Sequence, residues 1–514
     1  MKFKAVSAVV ISAGLILGGC SRSGTSDELT EEESAAEVAS EQSETTEAAT
    51  TTTSTIPLEW WTTTTIPLEW WTTTTTTPST TFTTVPIEMI AMPPLASLDE
   101  CRIPTPRPQA TSGDESFQPN TGFPFVMDNL PSEGVLEVAV VPVDWASYVG
   151  DVGKLESEFE QVERFVSFYE DVSNGDVSFK VKFVDEWLRV PGSPDDYPQD
   201  YESWFNVELA QAAVDASDPQ VDYSDVAILI VVVPENSPIP AGQAHFAEGS
   251  AINHGSFQGF DQLTRGMEVI SDEGRIPNWM SAGAYFDDFE GVRNEWSYYV
   301  HETGHMFELA DYYLRGDLDR RYSPRPEQEA IEIPIGPFST WSIMGNQDGP
   351  SRTMNAWSRW LVGWLDDEVY CFDARDPANQ AEFDVEIAAL DSELESVKAV
   401  IVRTGEHTGF VIESRRPIKW DEGLEAYRER AGRNSEGVLI YEVDTSYGTQ
   451  EGALRLITPK DRYTVDMYWS NRTPGRHLDA LFANGDAAAV AGFEVEVRQI
   501  GDLQDVVRLD LRTD

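Results

Sequence analysis

The sequence predicts a mixed α and β protein in two folded parts behind a disordered tether. The first part is an α+β domain over residues 116–366, with a mixed twisted β-sheet and one site-bearing helix; the second is an all-β sandwich or jelly-roll over residues 367–514. Three observations carry that expectation. Buried-strand and amphipathic-helix patterns alternate from Val135 to Val233. A later helix carries His301-Glu302-Thr303-Gly304-His305. After about residue 366 the pattern changes to short alternating strands. Such a length exceeds what a single core usually spans.

Residues 1–20 read as an export signal and not as part of the fold. Lys2 and Lys4 precede an apolar run from Ala5 to Leu17. The string Leu17-Gly18-Gly19-Cys20 resembles the lipobox of bacterial lipoproteins. That resemblance implies cleavage before Cys20, lipid on Cys20, and an exported protein tethered to a membrane, facing the cell exterior or periplasm. No later apolar run reaches the roughly 18 residues a membrane-spanning helix needs.

Residues 21–115 are of low complexity, rich in Glu, Ser, Ala and Thr, and cannot bury enough apolar surface to order themselves. Thr55-Ile56-Pro57-Leu58-Glu59-Trp60-Trp61 recurs as Thr65-Ile66-Pro67-Leu68-Glu69-Trp70-Trp71, and two copies are too few to stack as a solenoid. The stretch reads as a spacer between membrane and folded part; its paired tryptophans are sticky residues in a flexible tether or, alternatively, a glycan or polymer contact. At its end stands Cys101, and the one further cysteine is Cys371. Export exposes both to oxidising chemistry, so a disulfide is open to them. Two free thiols fit as well, because sequence does not report distance.

Within the folded part, Val135 to Val143 reads as a buried strand. Leu155, Phe159, Val162, Val166 and Tyr169 follow helical spacing. Asp176 to Val184 alternates as a strand, Trp204 to Val214 reads as a helix, and Val226 to Val233 as a central strand. Ser281 to Phe286 is a candidate edge strand, with Gly283 and Ala284 as candidate substrate-binding backbone. Asn294 can cap the next helix. On it, His301 and His305 share a face at i and i+4, so two imidazoles can address one metal ion. Glu302 lies beside them, where it can take a proton from an activated water.

Asp311 follows ten residues after His301, and a helix that ended soon after His305 would bring its carboxylate to a third ligand position. If the helix ran on, Glu308 would stay on the metal-facing side as the rival ligand. The β part then runs through strands at Phe383 to Leu390, Val397 to Arg403, Phe410 to Ser414, Val438 to Val443, Phe493 to Arg498 and Val506 to Leu511. Glu413 and Arg415, on one face of a strand, read as a structural ion pair. His245, His254, His407 and His477 have no spacing that requires a role.

The net charge is −53, from 89 acidic and 36 basic residues. That balance excludes nucleic acid as a partner and disfavours attraction to anionic lipid, leaving the N-terminal lipid as the membrane contact. Calcium would suit the acidic excess; Asp287-Asp288 and Asn346-Gln347-Asp348-Gly349 are candidate positions, but neither has EF-hand spacing. The sequence carries no signal of oligomeric state.

The extended motif from His301 to Asp311, with Ser342-Ile343-Met344-Gly345 as a methionine turn, resembles the metzincin peptidases. Within them the chain is most similar to the immune inhibitor A type of secreted bacterial zinc metallopeptidase. Supporting strings are Phe168 to Gly175, Asp311-Tyr312-Tyr313, Asn355 to Trp364, Phe410 to Arg415 and Gly437 to Asp444, within a resemblance spanning about residues 134–450. It implies a metzincin-like catalytic domain, zinc on His301, His305 and Asp311, Glu302 as general base, Met344 as an apolar floor, and extracellular proteins or peptides as substrates. One departure stands out: the family has glycine where this chain has Glu308. Glycine there eases the turn after the helix. Glu308 therefore keeps open an alternative from another class, a non-catalytic surface binding protein on a decayed peptidase scaffold.

Overall fold

A computed structural model describes residues 87–106, 120–127, 129–197, 207–235, 237–239, 245–246, 269–282, 294–313, 335–338, 341–347, 349–431, 434–459, 480–490 and 492–512. All of these fall in one compact unit, Val85–Asp514. The protein is mixed α/β with several sheets.

The first sheet contains β1 (Gly134–Asp144), β2 (Val177–Phe183), β3 (Leu188–Arg189), β4 (Val226–Val232), β5 (His245–Phe246) and β8 (Asn278–Ala282). Its order is β2-β1-β4-β8-β5, with β3 pairing the end of β1. The β1, β2, β4 and β8 pairings are parallel, and β5 joins β8 antiparallel. Helices cover both faces, which is why β1 and β4 are near-continuous apolar runs. Val138 and Val140 point into a core with α2 (Val152–Val172) and the later α4 (Glu295–Met306). Ala139, Val141 and Val143 point the other way, onto α3 (Val207–Ser217). A small hairpin, β6 (Val269–Ile270) with β7 (Arg275–Ile276), lies beside α3.

The second sheet runs β10-β12-β13-β14-β15-β9. Its strands are β9 (Ile335–Pro337), β10 (Val369–Asp373), β12 (Ala399–Arg403), β13 (Thr408–Arg415), β14 (Gly437–Asp444) and β15 (Leu454–Ile457). A third, antiparallel sheet has β11 (Glu382–Ala388), β18 (Gln504–Asp510), β17 (Phe493–Ile500) and β16 (Ala487–Val490) in that order. Val400, Val402, Phe410 and Ile412 of the second sheet share a core with Phe383, Val385, Val495 and Val507 of the third. The opposite side chains, Ile401, Val411, Leu439 and Tyr441, join the large core that holds α2 and α4. The second sheet is thus buried on both faces.

Packing crosses residue 366 freely. β9 comes from before it and pairs with β15 from after it. At the start of α5 (Ala356–Leu361), the Ala356 N–H donates to the Glu413 carboxylate on β13 at 2.8 Å. Cys101 in α1 (Leu98–Cys101) forms a disulfide with Cys371 in β10, settling the pairing that the sequence left open. The C-terminal part is not purely β, because α6 (Gly423–Ala431) lies between β13 and β14. No helix among the described residues is long and apolar enough to cross a membrane.

Candidate metal centre

α4 places the site. Asn294 stands at its N-cap position, but its side chain does not cap the helix as the sequence suggests. The amide oxygen is taken by Arg352 Nη1 at 2.6 Å, and the amide nitrogen donates to the Gln347 carbonyl at 2.9 Å. Gln161 of α2 accepts the Trp296 N–H instead, at 3.1 Å. Every residue of α4 is buried, so the helix is a core element against α2 and not a surface amphipathic one.

The helix ends in a Schellman turn. The Leu309 N–H reaches the Gly304 carbonyl at 3.0 Å, and the Glu308 N–H reaches that of His305 at 2.8 Å. Glu308 is the left-handed residue of this turn, with φ 66°. The turn therefore forms with a glutamate at its left-handed position. It carries the chain to Asp311, whose Oδ1 lies 3.3 Å from His301 Nε2 and 3.2 Å from His305 Nε2. His301, His305 and Asp311, all buried, offer three ligand atoms within 4.8 Å of one another. Of the rival third residues, the fold brings Asp311 and not Glu308 into that group.

The imidazoles are held from behind. His301 Nδ1 lies 2.8 Å from the Ile343 carbonyl, and His305 Nδ1 lies 2.9 Å from that of Leu309. A carbonyl only accepts, so each Nδ1 carries a hydrogen and each Nε2 is the ring nitrogen turned inward toward Asp311. The ring centroids are 4.8 Å apart and nearly perpendicular. Burial lowers the His301 pKa, but the Asp311 hydrogen bond and charge, with the Glu302 charge, outweigh it and push it up to about 9. The pocket attracts positive charge. Two inward Nε2 atoms, which ligate once a metal displaces their protons, and one carboxylate oxygen, with both rings oriented from behind, fit a divalent ion of zinc character.

Ile343 belongs to the turn Ser342–Gly345, closed by Gly345 N–H to the Ser342 carbonyl at 2.9 Å. Met344 lies under α4 at Gly304: a Cβ built there would sit 2.4 Å from its Sδ and 3.0 Å from its Cε. A side chain at Gly304 would therefore have to displace the thioether end of Met344. Its carbonyl accepts the Tyr312 N–H at 2.9 Å, which ties the turn to the segment carrying Asp311. Glu302 is buried, and its charge is felt at His301, Tyr298 and Tyr313. Burial, then the charge and hydrogen bond of Asp311, push the Tyr313 hydroxyl well above its ordinary pKa.

Residues that the sequence did not single out complete the surround. Thr449 and Gln450, in the loop between β14 and β15, hydrogen-bond Asp311. Their only local signal is a pair of flanking glycines, which marks a turn and no ligand. Glu413 and Arg415 form the expected ion pair, at 2.7 Å, and Arg415 also holds the Trp341 carbonyl at 3.0 Å beside the methionine turn. His407 bonds the Pro104 carbonyl and lies in the C-terminal part. Cys20, Gly283, Ala284, His254, His477, Asp287, Asp288 and Asp348 lie outside the described residues. The chain matches no protein-family model and no curated protein.

Proposed function

We propose that this chain is a zinc-dependent endopeptidase of the immune inhibitor A type, with a metzincin-like catalytic part and a jelly-roll-like β part. In this reading it is held at the membrane by lipid on Cys20 and cuts extracellular proteins or peptides. The observation that carries the reading is the convergence of Asp311 Oδ1 on two Nε2 atoms whose Nδ1 partners are backbone carbonyls. Zinc held by His301, His305 and Asp311 would polarise a scissile carbonyl and bring the pKa of water to about 7. Glu302, one residue along the same buried helix, takes the proton of the attacking water as its oxygen bonds to the carbonyl carbon. The same carboxyl then gives that proton to the amine as the C–N bond breaks. Met344 supplies an apolar floor and exchanges no proton.

The test is casein or gelatin cleavage by the full-length protein, with and without a chelator, beside Glu302→Gln. The substitution keeps the side-chain shape and removes the base. Zinc content should stay at wild-type level while turnover falls by about 10²–10⁴-fold. Near-normal turnover in Glu302→Gln, or cleavage indifferent to chelation, overturns the mechanism. Zinc uptake with no cleavage of any substrate favours the surface binding protein instead.

A further inference from the structure

We propose that Gln450 is a positioning residue of the metal centre: from the C-terminal part it fixes which oxygen of Asp311 faces the two imidazoles. The inference rests on the zinc reading above. Gln450 Nε2 donates to Asp311 Oδ2 at 3.0 Å and to Tyr313 Oη at 2.9 Å. An amide nitrogen has two hydrogens, so both are committed. With Oδ2 occupied, Oδ1 is the oxygen left turned toward His301 and His305.

The main chain repeats the grip. The Gln450 N–H donates to the Asp311 carbonyl at 2.9 Å, and the Asp311 N–H donates to Thr449 Oγ1 at 3.0 Å. Asp311, Thr449 and Gln450 are all buried, so these bonds are shielded from water. Gln450 also holds a left-handed backbone, φ 57°, which glutamine does not favour. Strain of this kind persists where the surroundings over-determine a conformation, and it gathers at functional sites. Here it delivers the amide to the carboxylate. The two histidines get their orienting partners from Ile343 and Leu309, 42 and 4 residues along the chain; the third ligand gets its partner from 139 residues along.

The experiment compares full-length wild type with Gln450→Met, which keeps side-chain length and removes the donor. Each is stripped with chelator, then titrated with zinc by competition and with Co(II) by visible absorption. Removing such an outer partner raises the zinc dissociation constant about 10–100-fold and alters the Co(II) spectrum. Should Gln450→Met not fold, Gln450→Gly gives the same comparison on a backbone that accepts the left-handed turn. A purely structural role would lower the unfolding midpoint of the stripped protein and leave both metal readouts unchanged. That outcome, or a zinc constant within about twofold of wild type, overturns the inference. Wild type that takes up no zinc overturns the metal reading itself, before the variant is compared.

Discussion

Asp311→Ala and Glu308→Gly form a matched pair whose outcomes the turn after α4 sets in opposite directions. Asp311 Oδ1 is within 3.3 Å of both Nε2 atoms, and Glu308 is outside the cluster of ligand atoms. Zinc held by four ligands is worth about 10–16 kcal/mol, or about 2.5–4 kcal/mol per ligand. At about 1.4 kcal/mol per decade, deleting Asp311 should weaken zinc by about two to three decades. Glu308→Gly acts mainly on the backbone. A left-handed non-glycine residue at φ 66° costs about 1–2 kcal/mol, and glycine returns part of that through its freer unfolded chain. The net expectation is a gain of about 0.5–1 kcal/mol with zinc affinity unchanged. Zinc titration of the chelator-stripped proteins reads the first effect, and urea unfolding midpoints read the second. Wild-type zinc affinity in Asp311→Ala, with loss in Glu308→Gly, would refute the assignment of Asp311 and the reasoning from the turn.

Two more expectations follow from packing and burial. Gly304→Ala adds a methyl group where Met344 Sδ would be 2.4 Å away, so its cost should shrink in a Met344→Ala background. A double-mutant cycle in urea should give a coupling of about 1–3 kcal/mol, and additive single effects would show that no such contact exists. Lys398 donates to the Ala389 and Ser392 carbonyls at 3.2 and 2.6 Å, and burial draws its pKa from 10.5 down to about 8. The unfolded chain then holds that proton over a pH range where the folded chain has released it, so stability from this group rises between pH 8 and 10.5. Relative to Lys398→Met, the wild type should gain up to about 3 kcal/mol across that window. An unfolding difference that stays flat with pH would contradict it.

The central strands were legible because burial on one or both faces imposes a period: β1, β2 and β4 lie within a residue or two of the apolar runs that announce them. The pair of histidines was legible because i, i+4 spacing on a helix leaves little freedom. What the sequence hid is long-range. β9 is three residues, too short to show a period, and its place in the second sheet comes from β15. α6 carries a charged, weakly patterned stretch, so nothing set it apart from a loop. Asn294 has the chemistry of a cap, yet a buried arginine claims its oxygen first. Thr449 and Gln450 are ordinary polar residues in a turn, and only folding brings them to Asp311.

The grip of Thr449 and Gln450 on Asp311 sets an order of events. A chain made from its N-terminus finishes α4 and both histidines early, but Asp311 waits for a partner 139 residues later. At about 5–20 residues per second, that delay is about 7–28 s of synthesis. On the proposed reading, a shortened or half-made chain lacks a properly set third ligand and has little power to cut. On that same reading, the site is complete only once the loop between β14 and β15 has been made and has folded onto Asp311.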